Sequence, residues 1–197
     1  MLAYRYYVYV MIGIDEVGRG AWAGPLLVVA VRQTDVLPEG LKDSKLLTKK
    51  RRKSLSNDIA IACEVGEGWV TPSEVDEMGL TRAMYLGVER ALTSLDASFS
   101  EEIIVDGNIN YCSKEYIQSR CVINADDLFP IVSAASIYAK VARDEFMTEL
   151  VKTYPDYGFE KHVGYGTKLH IDSLKRNGVT NVHRKSYKPV KAFTNAD

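Results

Sequence analysis

Three apolar runs of the sequence end in acidic side chains, and these acids are the residues best suited to do chemistry. They are Asp15 and Glu16 after MIGI, Asp106 at the end of EEIIVD, and Asp126 and Asp127 after CVINA. Ligand and catalytic groups in open α/β sheets gather at the carboxyl ends of strands. A single Asp at a strand end is also typical of a turn, but three such strands together favour a shared acidic site.

The donor set indicates which metal such a site would hold. Converging carboxylates repel one another, so they need a cation or the protonation of one member. Oxygen ligands with no neighbouring His or Cys suit Mg²⁺ or Mn²⁺ rather than Zn²⁺. A pair of these cations activates water and stabilises the leaving oxygen in phosphodiester hydrolysis. The three cysteines form no CxxC pair, which argues against a zinc site or a disulfide framework and fits a reducing cytoplasm.

Two glycines bracket an arginine directly after the first acidic pair. Gly18 and Gly20 leave backbone N–H groups open to a ligand, and Arg19 can bind phosphate in a fork. A tight turn between the first two strands explains the same residues, and both interpretations can hold together. Successive side chains of a strand point to opposite faces. We therefore expect the strand to end at Asp15 and the chain to bend so that Glu16 reaches the same site.

The elements that must position these residues follow from the hydrophobic pattern. Continuous apolar runs predict strands, and helical spacing appears between them. The order β-β-α-β-α-β-β-α-α predicts an α/β fold in which an antiparallel hairpin joins parallel strands. The predicted strands are 7–15, 26–31, 63–70, 102–106 and 121–125, and the predicted helices are 49–62 after Thr48, 80–95, 131–154, and 167–177 before Gly178.

The overall charge excludes a uniformly cationic protein. The chain has 197 residues with a net charge of −1, which is long enough for one domain with a sizeable core. Residues 161–191 contain eight Lys or Arg against one acid. This stretch is either a solvated end of the chain or a cationic surface for a polyanion. The run KKRRK at 49–53 spreads its charges around a helix and is predicted to be a solvated face.

The N-terminal residues are apolar but do not indicate a membrane protein. They are too few to span a bilayer and lack the pattern of a cleavable leader. Met11 is an alternative start, so residues 1–10 are either an upstream extension or a longer first strand. We expect a cytoplasmic protein without membrane contact.

The motifs taken together resemble those of bacterial ribonuclease HII. The resemblance implies a ribonuclease H-like mixed sheet flanked by helices, with a C-terminal helical region. It implies a single domain over 1–197, whose helical and basic part begins at about residue 155. The matching blocks, in the family's order, are GIDEVGRGAWAGP at 13–25, DSKLL at 43–47, VDGN at 105–108, ADDLFPIVSAASIYAKVARD at 125–144 and YGFEKHVGYGTKLH at 157–170.

The resemblance also implies an activity and its cofactors. The expected substrates are RNA–DNA hybrids, cut in the RNA strand, and duplex DNA, incised 5′ to an embedded ribonucleotide. Two Mn²⁺ or Mg²⁺ ions would give products with 5′-phosphate and 3′-hydroxyl ends. We expect a monomer with no obligate protein partner. The preferred metal, the preferred substrate and any sliding-clamp contact stay open.

The resemblance assigns roles residue by residue. Asp15, Glu16, Asp106 and Asp126 match the family's metal-site acids, whereas Asp127 does not. In substrate binding, Gly18, Arg19 and Gly20 match the motif that contacts the ribose 2′-hydroxyl, Tyr165 matches a tyrosine that stacks near the DNA side of the junction, and Lys45 is a phosphate-contact candidate.

One helical face and two histidines leave alternatives open. Ser136, Lys140 and Arg143 share a face at i, i+4 and i+7. The family match gives Ser136 and Lys140 a role in arranging the site or holding phosphate, while Arg143 is interpreted as part of a polar face, paired to an acid. His162 and His170 either bond phosphate or are structural.

The chain departs from the family pattern at two places, and three other functions compete with the ribonuclease HII assignment. Ala21-Trp22 stands where Pro-Leu is common, and Asn124 where a lysine is common. Ribonuclease HIII shares the core motifs but usually carries an extra N-terminal domain, for which the residues before Asp15 leave no room. A non-catalytic metal-dependent nucleic-acid-binding module would lack one metal acid. A phosphate-loop protein would need GKS or GKT.

Overall fold

The computed structural model describes residues 11–41 and 47–194. Within these two ranges the chain forms a five-stranded sheet in the order β3-β2-β1-β4-β5. Lys45 and the candidate extension 1–10 lie outside the described residues. The strands are β1 (Met11–Val17), β2 (Leu26–Gln33), β3 (Cys63–Val70), β4 (Glu102–Asp106) and β5 (Ser119–Val122).

Helices cover both faces of the sheet and form the C-terminal part. Thr48 caps the first helix by accepting from Arg51 N–H, and Gly178 ends the last long one with φ of 73°. Of the helices that the structure describes, none is both long and apolar enough to cross a membrane. They are α1 (Lys49–Ala62), α2 (Pro72–Ser94), α3 (Ala125–Leu128), α4 (Pro130–Glu149), α5 (Phe159–His162), α6 (Lys168–Asn177) and α7 (Lys188–Lys191), with 3₁₀ turns at Leu150–Lys152 and Pro155–Tyr157.

The sheet has the mixed polarity that the element order predicts. β2 is antiparallel to both β1 and β3. Residues 18–25 return the chain directly from β1 to β2, whereas α1 lies between β2 and β3. β4 is parallel to β1 and to β5. The predicted antiparallel hairpin joined to parallel strands is therefore confirmed. The parallel pair β1 and β4 ends at the same edge of the sheet, where the acids lie.

Alternation along the strands divides the core into two layers. Ile12 and Ile14 of β1 pack with Val105 of β4 against α2. The other face carries Val29 and Ile104, which pack against α1 and α4. Odd-numbered residues of β1 therefore face α4, and even-numbered residues face α2. This alternation determines which acid meets which helix.

Several predicted boundaries are wrong, and for two of them the structure shows the reason. β1 does not end at Asp15, because its ladder with β2 continues through the pair Val17–Leu27. α2 begins at Pro72 rather than residue 80, since Thr71 and Glu74 form a capping box, and the helix kinks at Gly79. The fifth strand ends before residue 123, and the long helix predicted for 131–154 ends at Glu149.

Candidate active site

Two of the predicted metal-site acids meet because β1 and β4 run parallel. Their register pairs Ile14 with Val105, so the next step along both strands places Asp15 beside Asp106. Asp106 Oδ1 accepts a hydrogen bond of 2.7 Å from the Ala125 N–H. This bond ties the end of β4 to the start of α3. Asp126 follows directly and is only 8% exposed.

The Asp15 carboxyl is the most strongly perturbed acid of the site. It lies on the α4 face and is 9% exposed. Burial, followed by the negative charges of Glu16 and Asp106, raises the pKa of Asp15 to about 8. Hydrogen bonds from the Ser136 hydroxyl and the Glu16 N–H oppose this rise but do not cancel it. A buried carboxyl with such a raised pKa is stabilised by protonation or by a nearby cation.

Glu16 reaches the same electrostatic environment without the predicted bend. The strand continues past it, with Glu16 paired to Val28, so its side chain leaves the sheet on the face opposite Asp15. Burial raises the pKa of Glu16, although Arg19 opposes this, and the Asp106 charge raises it further. Glu16 Oε1 accepts a 3.1 Å hydrogen bond from Arg19 Nη1. The two acids therefore flank the end of β1 and are not turned to one side.

The donor chemistry of these acids fits a hard divalent cation. Besides burial, the charges of Glu16 and Asp106 raise the pKa of Asp15, and the charge of Asp106 raises the pKa of Glu16. A cation among these acids would relieve that repulsion. Within the described parts of the chain, no three His, Cys, Asp or Glu side chains are arranged tightly enough to hold a metal ion. The charges of these acids thus influence one another's surroundings, but their side chains are not yet arranged as a closed set of metal ligands.

The GRG loop, residues 18–24, continues directly from β1. A turn closes it at the start, since the Ala21 N–H donates to the Gly18 carbonyl at 3.2 Å. The Arg19 side chain is half-exposed, and Glu16 and Tyr111 both hydrogen-bond its guanidinium. The tight turn and the phosphate-binding arginine, left open as alternatives from sequence, are therefore compatible in one loop.

The two glycines of the loop are glycine for different reasons. Gly18 has φ of +91°, and a Cβ built there would lie 2.3 Å from Arg143 Nε. Both the backbone and the packing therefore require glycine at position 18. A Cβ at Gly20 would meet no atom within 4 Å, so the fold itself leaves the space beside Gly20 open to solvent or to a ligand.

The predicted polar face of α4 divides into three different environments. Ser136 bonds Asp15, and Lys140 forms a 2.8 Å ion pair with Asp144. Arg143 is fully buried and donates to the carbonyls of Pro25, Ala23 and Val163 at 2.8–3.1 Å. The interpretation of Arg143 as an exposed residue paired to an acid is therefore wrong, because backbone carbonyls take its hydrogen bonds.

Tyr165 lies in a loop that packs on the GRG loop. The Trp22 N–H donates to the Gly164 carbonyl at 2.8 Å, and the Trp22 ring fills the space where a Gly166 side chain would stand. The Arg143 guanidinium carbon lies 5.6 Å from the centre of the half-exposed Tyr165 ring. Trp22, a departure from the family pattern, thus joins the GRG loop to the Tyr165 loop.

The second departure has a backbone explanation. Asn124 precedes α3 with φ of 55° and ψ of 43°, the left-handed region that Asn adopts more easily than other residues with a side chain. A lysine there would carry more strain. Asn124 therefore suits the chain's entry into the helix that carries Asp126.

The three histidines of the chain form one buried cluster. His162 and His170 rings lie 4.4 Å apart at 12°, and His170 Nε2 lies 3.1 Å from His183 Nε2. His170 Nδ1 also bonds the Tyr165 carbonyl at 3.1 Å. The structural alternative for His162 and His170 is correct and the phosphate-binding one is wrong, because their rings are enclosed by protein.

Burial of these histidines predicts that the free energy of unfolding depends on pH. It lowers the pKa of both His170 and His183 from 6.5 to about 4. Between about pH 4 and 6.5 the unfolded chain therefore binds more protons than the folded chain. The contribution of the neutral, buried histidines to stability is fully present above about pH 6.5. It falls as the pH drops towards 4, by up to roughly 1.4 kcal/mol per pH unit for each histidine. Urea unfolding of wild type and His170→Phe from pH 7.5 to 4.5 measures this.

The comparison of wild type with His170→Phe isolates the effect of the histidines on the pH dependence of stability. The raised pKa values of Asp15 and Glu16 act in the opposite direction over the same range, but they are common to both. We expect a shallower loss of stability on acidification in His170→Phe. Parallel pH profiles for the two proteins would contradict the prediction.

The basic stretch 161–191 is not a uniform cationic surface. Seven of its eight cations are exposed, but Arg184 is fully buried. The KKRRK run at 49–53 is mostly exposed along α1, with Lys53 bonded to Glu145 at 2.5 Å, as expected for a solvated face.

Sequence reasoning missed three residues that hold the GRG loop. Tyr111 bonds Arg19 through its hydroxyl, and Arg184 and Tyr187 both bond the Arg19 carbonyl. Counting charges cannot separate a buried arginine from an exposed one. For Arg143 a signal existed, because it falls at intervals of four in a stripe of α4 that is otherwise apolar: Ile131, Ala135, Ala139 and Met147.

Comparisons with known proteins give the family and the fold of the chain. A ribonuclease HII from Shewanella loihica is 43% identical over 182 residues, which cover 91% of this chain and 87% of that protein. The RNase HII of Archaeoglobus fulgidus, solved in a complex with PCNA, is 28% identical with a TM-score of 0.78, covering 91% of this chain and 95% of that one. Bst-RNase HIII, solved in complex with Mn²⁺, is 18% identical with a TM-score of 0.69 over 94% of this chain and 69% of that one, and shows the shared fold alone.

The family model for ribonuclease HII matches residues 12–190, a range that includes all four acids, the GRG loop and the Tyr165 loop. The predicted ribonuclease H-like fold is confirmed by the mixed sheet and by the solved structures that resemble it. The chain therefore belongs to the ribonuclease HII family and is a ribonuclease H enzyme, an endonuclease of RNA–DNA hybrids.

Proposed function

We propose that this enzyme, besides cutting the RNA strand of RNA–DNA hybrids, incises duplex DNA 5′ to a single embedded ribonucleotide. Hydrolysis would leave a 5′-phosphate and a 3′-hydroxyl. The observation that carries the proposal is the parallel pairing of β1 with β4. It brings Asp15 and Asp106 together next to a loop whose glycine at position 20 leaves open space.

The proposed cofactors are two Mg²⁺ or Mn²⁺ ions. Asp15, Glu16, Asp106 and Asp126 would hold them through carboxylate oxygens, the ligands that these hard cations prefer. When bound, the ions would acidify a water and neutralise charge on the leaving 3′-oxygen. The structure of Bst-RNase HIII in complex with Mn²⁺ supports this choice by analogy of fold.

The residues of the two loops would select and hold the substrate. The 2′-hydroxyl is the group that distinguishes RNA from DNA at a given site, and backbone groups from Gly18 to Gly20 would bond it. Arg19, fixed on one side by Glu16, would bond an adjacent phosphate. Tyr165 would stack near the DNA side of the junction, with Arg143 beneath its ring.

The α4 residues would act on the site from behind. Ser136 donates to Asp15, so it would orient that carboxylate in the metal-bound state. Lys140 is partly exposed and paired with Asp144, and it would exchange this partner for a phosphate. Lys45 stays a phosphate-contact candidate on the family motif alone. Since these groups come from one chain, catalysis would need no partner protein, and we expect a monomer.

Incision of a defined duplex tests the proposal. The substrate is a labelled DNA duplex with one ribonucleotide, incubated with Mg²⁺ or Mn²⁺ and either wild type or Asp106→Asn. Wild type should cut 5′ to the ribonucleotide. The variant should lose at least ~100-fold in rate, since even outer-shell partners of a metal site are worth roughly 10–100-fold.

Asp127→Asn is the matched control. Asp127 is an exposed acid one residue from Asp126, and it does not match the family's metal positions. Its replacement should leave the rate within about twofold, as expected for a surface change away from the site. Failure of wild type to cut the single-ribonucleotide duplex while it cuts a hybrid would sink the finer proposal and leave the family activity standing.

A further inference from the structure

The GRG loop rests on a segment that is 165 residues away in sequence. Arg184 is fully buried, and its Nη1 donates to the Arg19 carbonyl at 2.9 Å. The Tyr187 hydroxyl donates to the same carbonyl at 2.6 Å. The Arg184 Nε and Nη2 atoms donate to the Gly24 carbonyl at 3.2 and 3.0 Å. Two carbonyls of one loop are therefore drawn towards one buried guanidinium.

The supporting segment is itself anchored to the sheet layer. The Asp76 carboxylate of α2 accepts from the N–H groups of Lys185 and Ser186 at 2.7 and 2.9 Å. The Arg184 N–H donates to the Trp22 carbonyl at 2.7 Å. The Arg184 guanidinium carbon lies 5.3 Å from the centre of the Tyr187 ring. The support is thus built before any substrate arrives.

The orientation of one peptide unit follows from these bonds. In a planar trans peptide the C=O of one residue and the N–H of the next point in opposite directions. Because the Arg19 carbonyl faces Arg184 and Tyr187, the Gly20 N–H faces away from them. Among the residues that the structure describes, this N–H has no hydrogen-bond acceptor, and the space beside Gly20 is open.

We propose that Arg184 and Tyr187 are positioning residues for ribonucleotide recognition: they hold the Arg19 carbonyl inward and thereby aim the Gly20 N–H at the ribose 2′-hydroxyl. This inference rests on the proposed incision at single ribonucleotides. A loop carbonyl held by two donors cannot rotate without losing both bonds, and a preorganised donor avoids the cost of ordering on binding. Specificity for RNA would then depend on residues that never touch the substrate.

Tyr187→Phe is the informative variant, because it keeps the ring over Arg184 and removes only the hydroxyl, which donates to the Arg19 carbonyl and accepts from Arg184 Nη1 at 2.9 Å. We expect kcat/KM for the single-ribonucleotide duplex to fall by about tenfold, the upper range for one neutral hydrogen bond. Affinity for an all-DNA duplex of the same sequence, measured by fluorescence anisotropy, should stay unchanged. A purely structural role would lower both quantities together. Arg184→Lys should have a larger effect but is a weaker test, since a buried arginine that is lost can unfold the loop.

Tyr138→Phe is the control, since its hydroxyl bonds Glu67 at 2.9 Å on another part of the sheet. It should leave both quantities unchanged. The Gly20 amide resonance in ¹H–¹⁵N spectra gives a second readout, which does not depend on activity. We expect it to move in Tyr187→Phe and not in Tyr138→Phe. In wild type, the ribonucleotide duplex should shift it more than the all-DNA duplex.

The outcomes separate the two proposals. Wild type that does not incise the single-ribonucleotide duplex refutes the proposed function, while the Gly20 resonance still decides whether Tyr187 orients that peptide. Wild-type incision together with unchanged kcat/KM in Tyr187→Phe refutes the positioning role. Equal losses on the ribonucleotide duplex and in all-DNA affinity also refute it, because they would show a general loss of structure.

Discussion

Replacing Asp15 with asparagine should abolish cleavage and at the same time stabilise the metal-free enzyme. Burial of the Asp15 carboxyl, followed by the negative charges of Glu16 and Asp106, raises its pKa from 3.8 to about 8. Because the pKa of Asp15 is higher in the folded state than in the unfolded state, the contribution of this carboxyl to stability is fully present below about pH 4 and is lost as the pH rises towards 8. Ionisation of Asp15 therefore opposes folding at neutral pH.

The expected gain can be bounded by linkage. Each unit of pKa difference is worth about 1.4 kcal/mol, so removing an ionisable group shifted by several units should stabilise the protein by roughly 2–4 kcal/mol near pH 8. Asparagine retains an oxygen that can accept the Glu16 N–H, now bonded to Asp15 at 2.7 Å. The local structure should therefore survive the change.

Chemical denaturation with and without Mn²⁺ measures both halves of the prediction. Without metal, Asp15→Asn should unfold at a higher urea concentration than wild type, and the difference should shrink towards pH 4. With Mn²⁺, wild type should gain stability through binding to the folded state, and the variant should gain less. Glu16→Gln is the comparison, because it also removes a carboxyl whose pKa is raised but loses the ion pair with Arg19. Its gain in stability should therefore be smaller. A less stable metal-free Asp15→Asn would contradict the account.

The sequence predicted the elements that carry the site because its apolar runs are continuous and clearly bounded. β3 and β4 match their predicted limits, and β4 delivers Asp106 to the expected edge. The end of β1 was wrong because Glu16 and Val17 are held by pairing with Val28 and Leu27. Strand pairing is a contact between distant segments, and the polarity of a residue does not reveal it.

The supports of the GRG loop were beyond prediction for the same reason. Arg184 looks like one more cation in a basic stretch, yet it bonds carbonyls 160 and 165 residues away. Arg143 likewise takes three carbonyls from other segments. An arginine whose partners are backbone carbonyls has no acidic partner side chain, so the sequence contains no residue that would indicate where it binds. The acids stand out in the sequence because the proposed metal-binding role requires carboxylates, whereas the supporting arginines depend on the folded path of the chain.

Replacing Gly20 with valine should abolish ribonucleotide incision in an otherwise well-folded enzyme. A Cβ at position 20 meets no protein atom within 4 Å, so stability should stay within about 1 kcal/mol of wild type. The side chain would instead occupy the space from which a 2′-hydroxyl approaches the Gly20 N–H. We expect a rate loss of about 100-fold or more, the effect of removing a preorganised backbone donor from a transition state.

Gly18→Val is the matched substitution with the opposite expectation for stability. Its φ of +91° and the 2.3 Å approach of Arg143 Nε combine backbone strain with a clash against a buried arginine. The cost should be about 2–4 kcal/mol, since each source of strain contributes of order 1–3 kcal/mol. Thermal unfolding of the two valine variants side by side tests whether one glycine serves the fold and the other the substrate.

Calorimetric titration with Mn²⁺ then locates the defect in Gly20→Val. The four acids are unchanged in this variant, so Mn²⁺ should bind as in wild type while incision is lost. Loss of Mn²⁺ binding would mean that the loop and the acidic site are not separable, and retained incision would mean that the 2′-hydroxyl does not enter beside Gly20. Either result would also remove the reason for holding the Arg19 carbonyl inward. The stability, metal and incision measurements on this one position therefore test whether the acids and the GRG loop are separate parts of the site.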